Sequence, residues 1–203
     1  MTLQILTAFI VYALVTSVTP GPNNIMLFTS GVHFGLKRTI PHIAGVLGGI
    51  MLMVLLVGLG FDAVFKTFPF LYTVLQYIAV AYLLYLSWKI AHAGFPLEAT
   101  AKLSEKKPMR FLSAAAFQWV NPQAWFGAVC AVGIYVPQDH YFLNVCIIAF
   151  MLGLVNLPVT IAWTSGGTVF KRYLAKDSHM RMFNALMALL LLSSIYPIVK
   201  KLL

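Results

Sequence analysis

Charged side chains divide this chain into six long uncharged runs. No Lys, Arg, Asp or Glu occurs within 1–36, 39–61, 67–88, 111–138, 140–170 or 182–199. Each run is continuously apolar rather than alternating, which predicts helices and excludes the two-residue period of barrel strands. Each holds at least 18 residues, and about 20 apolar residues in a helix cross a hydrocarbon core of about 30 Å. The expected fold class is therefore an all-α integral membrane protein with six transmembrane helices, a single domain over 1–203. The longest polar stretch, about 92–110, contains Gly94, Pro96, Glu98, Lys102, Glu105, Lys106, Lys107 and Pro108. It predicts a linker between half-repeats of about 1–91 and 111–203, each with three spans.

The first run is too long for one simple span, since 36 helical residues would reach about 54 Å. Its interior reads Thr19-Pro20-Gly21-Pro22-Asn23-Asn24. Proline removes a backbone donor, clashes with the preceding turn and pushes its predecessor out of helix. Two prolines around a glycine predict a broken helix. The fourth run carries a similar interruption, Gln118 followed by Asn121-Pro122-Gln123. So helices one and four are both expected to break beside amides. Three spans per half place the halves in opposite orientations, which predicts a 3+3 inverted repeat. Broken backbone at membrane depth is tolerated where it is buried in protein or lines a polar cavity, and paired discontinuous helices hold the substrate in many secondary transporters. Asn156-Leu157-Pro158, in the fifth run, reads equally as a kink or as a polar site. Gly31 and Gly35, and Gly45 and Gly49, have the spacing of close helix packing. Trp88, Trp119, Trp125 and Trp163 are read as interface anchors. Gln76, in the third run, suits either a helix–helix hydrogen bond or a cavity.

Composition agrees with the pattern. The chain is 61% hydrophobic and 9% charged, whereas soluble domains are about 25% charged. The net charge of +9 raises the question of nucleic acid, but the distribution of the basic residues answers it. Eleven of the 14 Lys and Arg residues fall after runs one, three and five and three on the other side. Positive loops stay cytoplasmic, which predicts a cytoplasmic linker and both termini in the periplasm. The basic residues orient the chain and meet anionic headgroups, so the lipid bilayer is the expected partner and nucleic acid is not. No basic residue precedes Lys37, so no cleavable signal peptide is expected. Cys130 and Cys146 fall inside runs, without CxxC or metal-ligand spacing, and the five His residues form no HExxH pattern. Neither thiol–disulfide chemistry nor metal hydrolysis is supported, and no cofactor or metal is expected.

The residues Thr19–Asn24, Gly31, Gly35, Lys37, Arg38, Gly45 and Gly49, the segment Tyr82–Lys89, and Phe111, Gln118, Asn121 and Pro122 together resemble the LysE/RhtB family of bacterial amino-acid exporters. The resemblance covers essentially the whole chain. Its TPGPNNI and SWKIA stretches are most similar to the cysteine/O-acetylserine exporter branch. It implies a bacterial inner-membrane secondary transporter that exports small neutral amino acids such as cysteine, O-acetylserine, threonine or homoserine, driven by the membrane gradient. Many members read Asn-Pro-Lys where Gln123 stands here, so this chain lacks that lysine's charge.

The expected mechanism is alternating access around the two breaks, with Pro20, Gly21, Pro22, Asn23, Asn24, Gln118, Asn121, Pro122 and Gln123 as the substrate-binding set. Helix fragments that start at a break offer N–H groups to a carboxylate. Fragments that end there offer free carbonyls to an ammonium group. All five acidic residues lie at run ends or in loops. Proton coupling would therefore use Asp62 and Asp139 on the outer face and His33 and His42 on the inner face. The alternative is a passive facilitator or channel for small polar solutes. The small-residue faces suit either an internal bundle or a homo-oligomer.

Overall fold

The computed structural model describes residues 2–61, 67, 69–92, 107–171, 173 and 177–193. Seven α-helices and no strand occur among them: α1 (Leu3–Val18), α2 (Pro22–Leu56), α3 (Pro69–Ala91), α4 (Phe111–Val120), α5 (Pro122–Tyr135), α6 (Tyr141–Phe170) and α7 (Asp177–Ser193). Most of the linker and Asp62 lie outside the described residues, as does the side chain of Gln76.

Both expected breaks are present. α1 is apolar and free of Gly and Pro, and Thr2 Oγ1 accepts from Ile5 N at its start. It ends because Thr19 precedes Pro20 and takes an extended ψ of 127°. Helix resumes with Pro22 at its first position, where the missing N–H has no intrahelical partner to lose. The second half repeats this logic: Asn121 leaves helix (φ −93°, ψ 107°) and Pro122 starts α5. α1 has 16 residues, α4 has 10 and α5 has 14. At about 1.5 Å per residue none reaches about 30 Å, so none is long enough to cross a hydrocarbon core by itself.

A third interruption lies inside α2. Gly35 has φ 76° and ψ 168°, a region open essentially to glycine alone. Ser30 Oγ and Thr39 Oγ1, nine positions apart, lie 3.2 Å from each other. In a straight helix they would be separated by about 13 Å along the axis. The chain therefore folds sharply at Gly35 into two arms, 22–34 and 36–56. Gly35 was expected to pack a helix face, yet a Cβ there meets nothing within 4 Å. Its role is the turn that carries Lys37 and Arg38. Gly35→Ala is expected to cost about 1–3 kcal/mol from backbone strain alone, despite the open space. Thermal unfolding of the purified protein in detergent checks this.

Gly31, Gly45 and Gly49 do pack. A Cβ on Gly31 would collide with the Thr164 backbone, one on Gly45 with the Phe111 carbonyl, and one on Gly49 with Ala115 and the Gln118 stem. Gly167 answers Gly31 from α6, against the Phe28 carbonyl. α2 accordingly packs most extensively on α6 and next on α4, while α3 pairs with α7. The main core joins Phe9 and Ala13 of α1, Met53 and Val54 of α2, Ala128 and Val132 of α5, and Val145, Ile148 and Leu152 of α6.

Large apolar side chains also cover the outside: Leu112, Phe126, Phe142, Phe150 and Leu189 are each at least 60% exposed. Such a surface suits hydrocarbon rather than water. The stretches Pro22–Gly60 and Tyr141–Phe170 are long and apolar enough to cross a membrane, the first being divided by the turn at Gly35.

Candidate functional site

The two proline breaks meet in the middle of the fold. Gly21 sits against the Gln123 side chain so closely that a Cβ would overlap it. Asn23 and Gln118, 95 positions apart, form a reciprocal amide pair: Asn23 Nδ2 donates to Gln118 Oε1 at 2.8 Å, and Gln118 Nε2 donates to Asn23 Oδ1 at 3.1 Å. Gln118 Nε2 also reaches the Ala114 carbonyl at 3.0 Å. Gln118 is fully buried, beneath Gly49, whose lack of a side chain leaves room for it.

Beside this pair lies a cavity of about 70 Å³. Thr16 and Ser17 reach it from the end of α1, and Asn23 and Asn24 from the start of α2. Asn121, Gln123, Ala124, Gly127 and Ala128 line it from the second break and α5. Val46 and Ile50 come from the second arm of α2, and Leu152, Asn156 and Thr160 from α6. None of these residues carries a formal charge. Asn23, Asn24, Asn121 and Gln123 of the expected set therefore face the cavity, whereas Pro20, Gly21, Pro22, Gln118 and Pro122 shape or brace it.

Donors and acceptors at the breaks are unequal. Asn24 Nδ2 bonds the carbonyls of Ser17 at 2.7 Å and Thr19 at 2.9 Å. Trp125 Nε1 bonds the Trp119 carbonyl at 2.8 Å, and Asn121 N bonds that of Gln118. These carbonyls at the ends of α1 and α4 thus already have donors, which corrects the expectation that they stand free for an ammonium group. It also corrects the reading of Trp125 as an interface anchor: it is buried and caps the second break.

Donors, in contrast, remain. Asn121 Oδ1 caps Gln123 N at 3.1 Å, but Asn121 Nδ2, buried with its residue only 1% exposed, has no partner among the described residues. Gly21 gives α2 no side-chain cap, so the first N–H groups of that helix, on Asn23 and Asn24, keep their capacity for an acceptor.

A LysE type translocator model matches residues 14–193. The chain belongs to the LysE family. Among its relatives are the cysteine/O-acetylserine efflux proteins of Salmonella typhimurium (strain LT2), 31% identical, and of Escherichia coli (strain K12), 30% identical, both over 193 residues. In both cases the match covers 94% of this chain and 95% of the relative. No solved structure matches at a significant level. This LysE-family protein is a transporter and not an enzyme, and its family and relatives support amino-acid export.

The sequence pointed to the breaks but not to the third wall of the cavity. Nothing beside Thr16, Ser17 or Thr160 in the sequence marks them as polar lining, and Asn156 reads equally as part of a kink. A weak signal was available: Leu152, Asn156 and Thr160 recur every four residues and share one helix face. The expected proton-linked residues separate. Asp139 is exposed in the turn before α6, and His33 is half-buried beside Phe34. His42 is 2% exposed and neither ring nitrogen has a hydrogen-bond partner among the described residues. It stands one helical turn from Val46, which lines the cavity.

Proposed function

We propose that this protein exports small neutral amino acids across the bacterial inner membrane and binds them in the cavity between the two breaks. The observation that carries the reading is the buried, unpartnered Asn121 Nδ2 beside the uncapped start of α2, in a cavity without fixed charge. Orphan donors and the positive end of a helix suit a carboxylate. The amide and hydroxyl oxygens of Asn24, Gln123, Asn156 and Thr160 are the acceptors for the ammonium group, since the carbonyls of Ser17, Thr19, Gln118 and Trp119 are occupied. A net-neutral zwitterion needs no charged partner, which accommodates glutamine at position 123. The names of the relatives favour cysteine or O-acetylserine within this class.

In this reading six spans form a 3+3 inverted repeat. Span one is α1 with the 22–34 arm, span two the 36–56 arm and its continuation, and span four α4 with α5; α3, α6 and α7 supply the others. Those loops are cytoplasmic and both termini periplasmic in this reading, which the basic residues at the Gly35 turn and in the linker support. Transport is alternating access coupled to protons, and His42 is the group assigned to the proton. Burial without a hydrogen-bond partner, one turn from the substrate cavity, supports that assignment.

Efflux of radiolabelled cysteine, O-acetylserine, threonine, leucine and lysine from expressing cells tests the reading. Uphill efflux of neutral substrates, lost with a protonophore, is the expected result. Equilibration that ignores the protonophore would make the protein a passive facilitator, and movement of lysine alone would remove the zwitterion site.

A further inference from the structure

The cavity is polar at one end and apolar at the other. Along the cavity-lining face of α6 the residues run Thr160, Asn156, Leu152. Along α5 they run from Asn121 and Gln123 to Ala124 and Ala128. α5 leaves the break and α6 returns towards it, so both lose polarity in the same direction. Ile50 joins Leu152 at the apolar end, since Met51 of the same helix packs on Gly153.

This end is closed. Tyr12 Oη donates to the Gly127 carbonyl at 3.0 Å. The rings of Phe9, Tyr12 and Tyr135 stack together beyond it, with centroids 5.2 to 6.3 Å apart. Ala128 and Leu152 are 1% and 5% exposed.

We propose that Ile50, Ala124, Ala128 and Leu152 form the side-chain subsite for the exported amino acid and set its upper size. The inference rests on the proposed export function and adds which way the substrate lies. Its carboxylate and ammonium groups stay with the amides at the breaks, and its side chain points toward the aromatic cluster. A cavity of about 70 Å³ is far below the roughly 300–1,000 Å³ of drug-sized pockets. In this placement a cysteine-sized side chain fits against the wall, whereas leucine or the longer O-acetylserine presses on Leu152 or Ile50, so of the two substrates named for the relatives the subsite favours cysteine. A hydrophobic wall discriminates about 10- to 200-fold per methylene-sized change, so one truncation here shifts selectivity measurably.

The test is efflux of radiolabelled alanine, serine and leucine, read as the leucine-to-alanine ratio so that a general loss of activity cancels. Leu152→Ala is expected to raise that ratio about tenfold or more. Ala128→Val is expected to lower the serine-to-alanine ratio. If Leu152→Ala fails to reach the membrane, Ile50→Ala carries the same prediction. Ratios that stay at the wild-type value in variants inserted normally would overturn the subsite. Wild-type protein that moves none of the three, nor cysteine or O-acetylserine, would instead overturn the export reading.

Discussion

Asn23→Leu is expected to abolish amino-acid efflux and also to weaken the fold. The substitution keeps the size of the side chain but leaves buried Gln118 without the amide that satisfies its Oε1. A buried polar group stripped of its partner costs about 1–3 kcal/mol, whereas replacing both partners by apolar groups of similar shape is nearly neutral. The double variant Asn23→Leu, Gln118→Met is therefore expected to recover most of the lost stability without recovering transport. Thermal unfolding in detergent and efflux in cells, measured on both singles and the double, separate the two contributions. Recovery of transport in the double would mean that Asn23 serves only to hold the breaks together. Full transport in Asn23→Leu alone would remove this residue from the substrate path.

Gly31→Val and Gly167→Val are expected to prevent assembly of the bundle. Each glycine faces main chain across the α2–α6 contact, Gly31 against Thr164 and Gly167 against Phe28. Main chain cannot rotate away as a flexible side chain can, so the helices must separate. Overpacking ordinarily costs about 1–3 kcal/mol, and here the displacement spreads along the most extensive helix contact among the described residues. The check is the amount of monodisperse protein recovered from membranes. Gly133→Val, where a Cβ meets nothing within 4 Å, serves as the control and should be recovered like wild type.

The contrast among the glycines shows how far sequence reaches. Gly31, Gly35, Gly45 and Gly49 all have the spacing of a packing face, and three of them use it. Gly35 instead turns the chain, a difference set by its backbone angles and not by its position in a pattern. The proline breaks were legible because their cause is local: a ring without an N–H disrupts helix whatever surrounds it. The roles of the amides beside them were not. Asn24 ties down the end of α1, Asn23 bridges to Gln118, and Asn121 keeps one unused donor. Three asparagines with the same inventory of donors and acceptors have three different fates.

From residue order alone came the helical membrane character, the two proline breaks and the membership of an exporter family. These depend on the composition of contiguous runs and on short-range backbone sterics, which a linear string carries in full. Tertiary structure alone decided which carbonyls are already occupied, which donors remain, and that α6 completes the cavity with Asn156 and Thr160. The Asn23–Gln118 pair joins groups 95 positions apart, and even the donors that occupy the end carbonyls, three to seven positions away, reach them only through the path the chain takes at each break, because a hydrogen bond exists only where folding has brought both partners within reach.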